Sequence, residues 1–149
     1  MEKVKLSIHD ALMLEALRAG GLSDGEIVEA AKSGDITKLA SIGNEDFDFN
    51  DLIEFAKEHG DVLEQAAAHG YEIKFNTMGG TKYLLKVKFG LQANEDYTAE
   101  KDHLHGVPLS AADLEWLKGT MSRYWTVALS GETSADGRFL ARIAPAGVQ

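Results

Sequence analysis

Helix-start and helix-stop signals recur at short intervals along this chain. Ser7 with Asp10, Ser23 with Glu26 and Ser110 with Asp113 each form an S-x-x-[DE] pair. In such a pair the hydroxyl and the carboxylate satisfy backbone N–H groups orphaned at a helix start. The first helix carries Ala11, Leu12, Leu14 and Leu17 and stops at Gly20-Gly21; the second carries Ile27, Val28, Ala30 and Ala31 and stops at Gly34. Asp35 then caps a short helix with Ile36, Leu39, Ala40 and Ile42, ended by Gly43. Punctuation this dense restricts the N-terminal part to short helices packed on one another. No apolar run approaches the roughly 20 residues needed to cross a bilayer.

A longer helical pattern runs from Asp51 to His69, with Leu52, Phe55, Ala56, Val62, Ala66 and Ala67 on one face. Asp61 and Glu64 follow Gly60 at cap and third positions, so two short helices meeting at a glycine turn are expected. EIVEAAKSGDITKLA (26–40) and DLIEFAKEHGDVLEQAA (51–67) match at Glu29/Glu54, Ala31/Ala56, Lys32/Lys57, Gly34/Gly60 and Asp35/Asp61. Two copies can reflect recurrent capping chemistry or a repeated unit; a repeat protein needs about three.

Residues 70–90 then alternate: Tyr71, Ile73 and Phe75 against Glu72, Lys74 and Asn76, and Tyr83, Leu85, Val87 and Phe89 against Lys82, Leu84, Lys86 and Lys88. Period two predicts a β-hairpin, turning at Met78-Gly79-Gly80 with Gly80 left-handed and all four lysines on one face. The segment 91–109 is polar and reads as a linker. Ser110 opens a further helix through Leu114, Leu117 and Met121, and Trp125, Val127 and Leu129 alternate against Phe139, Ala141 and Ile143 in a second hairpin, followed by a fraying APAGVQ tail. Trp116, Met121, Tyr124 and Trp125 are expected as core between that helix and hairpin. The fold class expected is α+β with an antiparallel sheet: residues 1–90 as helices plus hairpin, 91–109 as linker, and 110–149 as helix plus hairpin, able to complete the same domain.

The 149 residues include no cysteine, which removes disulfides and thiolate chemistry, and the N-terminus lacks the apolar core of a signal peptide. A cytoplasmic, membrane-free protein is expected. The net charge is −9, yet it is unevenly spread. Glu45, Asp46, Asp48, Asp51, Glu54, Glu58, Asp61 and Glu64 face Lys57 alone within 44–65, whereas 70–90 holds four lysines and one acid.

A glycine-turned helix pair followed by a two-stranded hairpin resembles the layout of winged-helix domains over about residues 23–90, with Ala56 and Gly60 spaced like the alanine and turn glycine of helix-turn-helix proteins. That resemblance implies nucleic-acid binding, here through Lys74, Lys82, Lys86 and Lys88. VLEQAAAHG offers Glu64, Gln65 and His69 where a recognition helix carries basic residues. The lysines can equally offset the neighbouring acids and guard a sheet edge.

Chemical motifs are sparse. DFDFND begins like a calcium loop but has Asp51 and Lys57 where glycine and glutamate are required. His103 and His105 could share one side of a strand, with no third ligand at a metal-site spacing. Gly79-Gly80-Thr81-Lys82 lacks the preceding half of a phosphate-binding loop. No cofactor or metal is expected, and a small enzyme of unknown class stands behind the two binding readings. The leading expectation is a non-catalytic regulatory or inhibitory module that binds another protein with a basic, nucleic-acid-binding groove. Its contacts would be Glu45, Asp46, Asp48, Asp51, Glu54, Glu58 and Asp61, with Phe47 and Phe49 interleaved, and opposite fields would steer association.

Overall fold

The computed structural model describes residues 3–147. The chain is an α+β protein that divides into two compact units between Glu72 and Ile73.

Unit 1 contains β1 (Val4–Leu6), α1 (Ile8–Ala19), α2 (Asp24–Ser33), α3 (Ile36–Ala40) and α4 (Asn50–His69), and β2 (Tyr71–Ile73), which pairs with β1, straddles the boundary. The capping signals form as expected: Ser7 Oγ accepts from the Asp10 N–H, Ser23 and Glu26 complete a reciprocal capping box, and Asp35 accepts from the Lys38 N–H. Every residue of α1 from Ala11 to Leu17 is buried, including Glu15, as befits a helix apolar nearly all round. Leu39, Leu52, Leu63 and Ala66 are buried too, and α2 packs along α4.

The two similar segments diverge at their glycines. Gly34 takes the left-handed conformation (φ +77°) and ends α2. At the second copy only His59 leaves helical geometry (φ −136°, ψ 44°), so α4 kinks there and continues through Gly60 to His69. Two helices do meet at the expected place, as a kink rather than a turn.

Unit 2 contains α5 (Met78–Phe89), β3 (Thr98–Ala99), β4 (Leu104–Leu109), α6 (Ala111–Thr120), β5 (Trp125–Thr133) and β6 (Phe139–Pro145). Its sheet has the order β3-β4-β6-β5 with antiparallel neighbours throughout. The second hairpin forms, with Val127 opposite Ile143 and Leu129 opposite Ala141; Ala141 and Ile143 are buried, but Leu129 and Phe139, both expected to face inward, are exposed. The expected tail begins within β6, which runs to Pro145; residues 148 and 149 lie outside the described residues.

The first hairpin does not form. Residues 78–89 are helical: Thr77 Oγ1 accepts from the Gly80 N–H at 3.0 Å, placing Met78-Gly79-Gly80 in the first helical turn. Thr81, Leu84 and Leu85 are buried at i, i+3 and i+4, and Gly90 ends the helix left-handed (φ +72°). The consecutive Tyr83-Leu84-Leu85 breaks strict alternation, and Leu84, assigned outward in a strand, is fully buried. The wing of the winged-helix layout is therefore absent, and that resemblance fails at its hairpin. The reading of 91–109 as a linker is corrected at its end: β4 buries Leu104, Val107, Pro108 and Leu109 and lies inside the sheet. Its bulge after Leu104 uses Gly106 at φ +68°, a backbone angle that suits glycine.

Candidate acidic docking face

The charge division follows the structural one. Residues 1–72 hold 16 acids against 6 Lys and Arg, a net charge of −10, and residues 73–149 hold 8 against 9, a net of +1. The acidity of the chain thus belongs to unit 1.

Within unit 1 the helical repeat of α4 aligns part of this charge. Asp51, Glu54 and Glu58 are spaced three and four apart, which places them in one stripe on the first part of the helix; Asp61 follows beyond the kink at His59, and all four are exposed. The buried side of α4 carries Leu52, Ile53, Ala56, Leu63, Ala66 and Ala67. Some of these carboxylates have local work. Asp51 Oδ2 lies 2.9 Å from His9 Nε2, and Glu54 lies 3.5 Å from Lys57. Among the described residues, Glu58 and Asp61 have no ion-pair partner.

The preceding loop supplies Glu45, Asp46 and Asp48, all exposed. Asp48 Oδ1 accepts from the Asn50 N–H at 3.0 Å and from its side-chain amide at 2.9 Å, fixing the entry to α4. The aromatic residues expected to assist docking are used otherwise. Phe49 is buried, and Phe47 is half-buried between it and His9, with ring centroids 6.0 and 5.9 Å apart.

Sequence reasoning missed the concave parts of this unit. Glu26, Glu29, Ser33, Asp35 and Lys38 line a cavity of about 350 Å³ beside α2 and α3. Another of about 310 Å³ lies between α2 and α4, with Val28, Ala67 and Ala68 lining it together with Asp24 and Glu64. Lys32 reaches from α2 to Glu64 at 2.5 Å, and Arg18 binds Asp24 at 2.8 Å. The signal was present as Glu26, Glu29 and Asp35 in the first copy of the similar segments, but only the packing of α2 on α4 shows which acids share a surface.

The helix α5 scatters the four lysines expected on one hairpin face. Lys74 precedes the helix and is exposed. Lys82 and Lys86, one turn apart, flank a cavity of about 220 Å³ with Gly79, Tyr83 and Leu91 to Ala93. Lys88 instead lies over the Trp116 ring, 4.5 Å from its centroid, and Phe89 meets the same ring edge-on at 5.9 Å. Of the expected C-terminal core, Met121 is buried and Trp116 and Trp125 are half-buried, whereas Tyr124 is exposed. His103 and His105 stack at 5.5 Å, each near its own carboxylate, Asp102 at 2.8 Å and Glu100 at 3.6 Å. Among the described residues, no three potential ligands gather at one point, and no helix is long and apolar enough to cross a membrane.

No protein-family model, curated protein or solved structure matches the chain.

Proposed function

We propose that unit 1 is an acidic docking module that binds a protein through a basic surface, and that its regulatory effect is to occupy a groove otherwise used by nucleic acid. The observation that carries this reading is the exposed carboxylate stripe of Asp51, Glu54 and Glu58, followed beyond the kink by Asp61, on a unit of net charge −10. Such a surface focuses a negative field over α4, which speeds encounter with a basic partner and disfavours acidic ones. The loop acids Glu45, Asp46 and Asp48 extend the same charge beyond the helix N-terminus. Binding accounts for the surface without a catalytic step.

The test is affinity capture from lysate of the source organism with nuclease treatment, beside a variant carrying Asp46→Lys, Asp48→Lys and Asp51→Lys. A stoichiometric protein that survives nuclease and is lost with the charge reversal supports the reading. Recovery of nuclease-sensitive material alone, unaffected by the reversal, overturns it.

A further inference from the structure

Unit 2 presents a feature that the acidic face does not use. Phe75 is 65% exposed and Tyr124 is 45% exposed, yet their rings stack with centroids 5.1 Å apart and planes within 11°. Stacked face to face, the two rings cover each other on one side, Arg123 lies over the Tyr124 ring, and the mostly exposed Phe75 is left as the flat apolar surface facing water.

The pair is held by a polar clamp. Asn76 Oδ1 accepts from the Ser122 N–H at 2.8 Å, and the Asn76 amide reaches Met121 Sδ at 3.4 Å. Ser122 Oγ in turn accepts from the Tyr124 N–H at 3.0 Å, and the Tyr124 carbonyl accepts from the Ala146 N–H at 2.6 Å. Arg123 lies over the Tyr124 ring, 5.1 Å from its centroid, and donates to the Tyr124 hydroxyl at 3.0 Å. Both rings are thereby fixed through their own backbone neighbours before any ligand arrives, which lowers the ordering cost of binding.

The two sequence tracts that carry the rings hold cations and no acid. Residues 73–94 contain no acid and carry Lys74, Lys82, Lys86 and Lys88; residues 116–131 contain none and carry Lys118 and Arg123. These two tracts are the ones that meet, at Phe75 with Tyr124, at Asn76 with Ser122 and at Phe89 with Trp116. Lys74 and Arg123, the cations adjacent in sequence to the two rings, are both exposed.

We propose that Phe75, backed by Tyr124, is a stacking platform for a base of a single-stranded nucleic acid, with Lys74 and Arg123 beside it for the phosphates. A single strand combines planar apolar faces with a regular negative backbone, and stacking on aromatic side chains accepts any base. A duplex matches the charges but keeps its base faces inside the stack. An acidic peptide supplies charge without flat rings, and a proline-rich peptide supplies apolar faces without charge. On a chain of net charge −9 the affinity is modest and falls steeply with salt.

The test is fluorescence anisotropy of the full chain with a labelled oligothymidylate, an abasic phosphodiester strand of equal length and a duplex, at low and moderate salt. The oligothymidylate is expected to bind tightest. Phe75→Ala should weaken it about fivefold or more without altering the circular dichroism spectrum, because Phe75 is mostly exposed. Phe75→Trp should retain binding, and its indole fluorescence should fall as a base stacks on it. Lys74→Ala should lower the logarithmic salt slope by about 0.7. Equal affinity for the abasic strand, preference for the duplex, or no effect of Phe75→Ala would each overturn the proposal.

Discussion

The Tyr71 hydroxyl donates a 2.6 Å hydrogen bond to the carboxylate of Glu15, a residue 56 positions earlier in the chain. Glu15 is 1% exposed, within the otherwise apolar run from Ala11 to Leu17 of α1, and also accepts from the Arg18 guanidinium at 2.9 Å. Arg18 donates further to the Ala67 carbonyl at 3.2 Å and to Asp24 at 2.8 Å. A single buried carboxylate therefore ties α1, α4 and the Tyr71 strand to one another, and its charge is met by a cation and a hydroxyl.

Removing either partner should expose the cost of that burial. Tyr71→Phe is expected to lower stability by about 1.5–3 kcal/mol, the range for a hydrogen bond to a charged group. Glu15→Ala leaves the guanidinium and phenol without their shared acceptor and should cost more, about 3–5 kcal/mol. Urea unfolding followed by circular dichroism measures both, and equal stability of Tyr71→Phe and wild type would contradict the network.

The same bond sets a behaviour at high pH. Burial first, and then the charge of Glu15 and its hydrogen bond, hold the Tyr71 pKa above its ordinary value near 10. The folded value lies above the unfolded one, so the stabilisation is complete below about pH 10 and is lost as pH rises beyond it. Alkaline unfolding of wild type should steepen above that point, and Tyr71→Phe should lack this component.

Helix α5 makes a second mechanical prediction. Gly79 lies in its first turn without a left-handed backbone, and a Cβ there would meet nothing within 4 Å. Gly79→Ala should therefore stabilise the protein by about 0.4–1 kcal/mol, whereas Thr77→Ala, which deletes the cap, should destabilise it by about 1 kcal/mol. Thermal melts of the two variants shifting in the same direction would contradict a helix starting at Thr77.

These two helix starts show what was legible in the sequence. Where a cap acid stands three residues after the hydroxyl, as at Ser23 and Glu26, the helix was visible from residue types alone. Thr77 has Gly80 at that position, so its cap carries no second signal, and Gly79-Gly80 reads as a turn. Tyr83 to Phe89 satisfies periods of 2 and 3.6 together, and burial of Leu84 decides between them. The strand β4 was hidden because HLHGVPL begins polar and contains a proline. The acids of the α4 stripe were legible by spacing. The cavity between α2 and α4 and the Phe75–Tyr124 stack were not, since both join residues far apart in the chain.

The capping box of α2 gives an acid-side prediction. The Ser23 backbone N–H first, and then Lys38 and the Ser23 hydroxyl, hold the Glu26 carboxyl down to about 2. A folded pKa below the unfolded value near 4.3 contributes stability above that value and loses it as pH falls toward 2. Glu26→Gln keeps an acceptor for the Ser23 N–H but removes the charge facing Lys38. Its acid-unfolding curve should be shallower than that of wild type between about pH 4 and 2, and superimposable curves would show that the pair contributes nothing.

The acidic face itself is tested most directly by the association rate of the captured partner as a function of ionic strength, for wild type and for a Glu54→Lys, Glu58→Lys and Asp61→Lys variant. These three side chains are exposed on α4, so their reversal leaves the core intact. Electrostatic steering requires that the wild-type rate fall steeply as salt rises and that the reversal slow association at least about tenfold at low salt. Rates that are equal in the two proteins and flat with salt would contradict docking through this stripe.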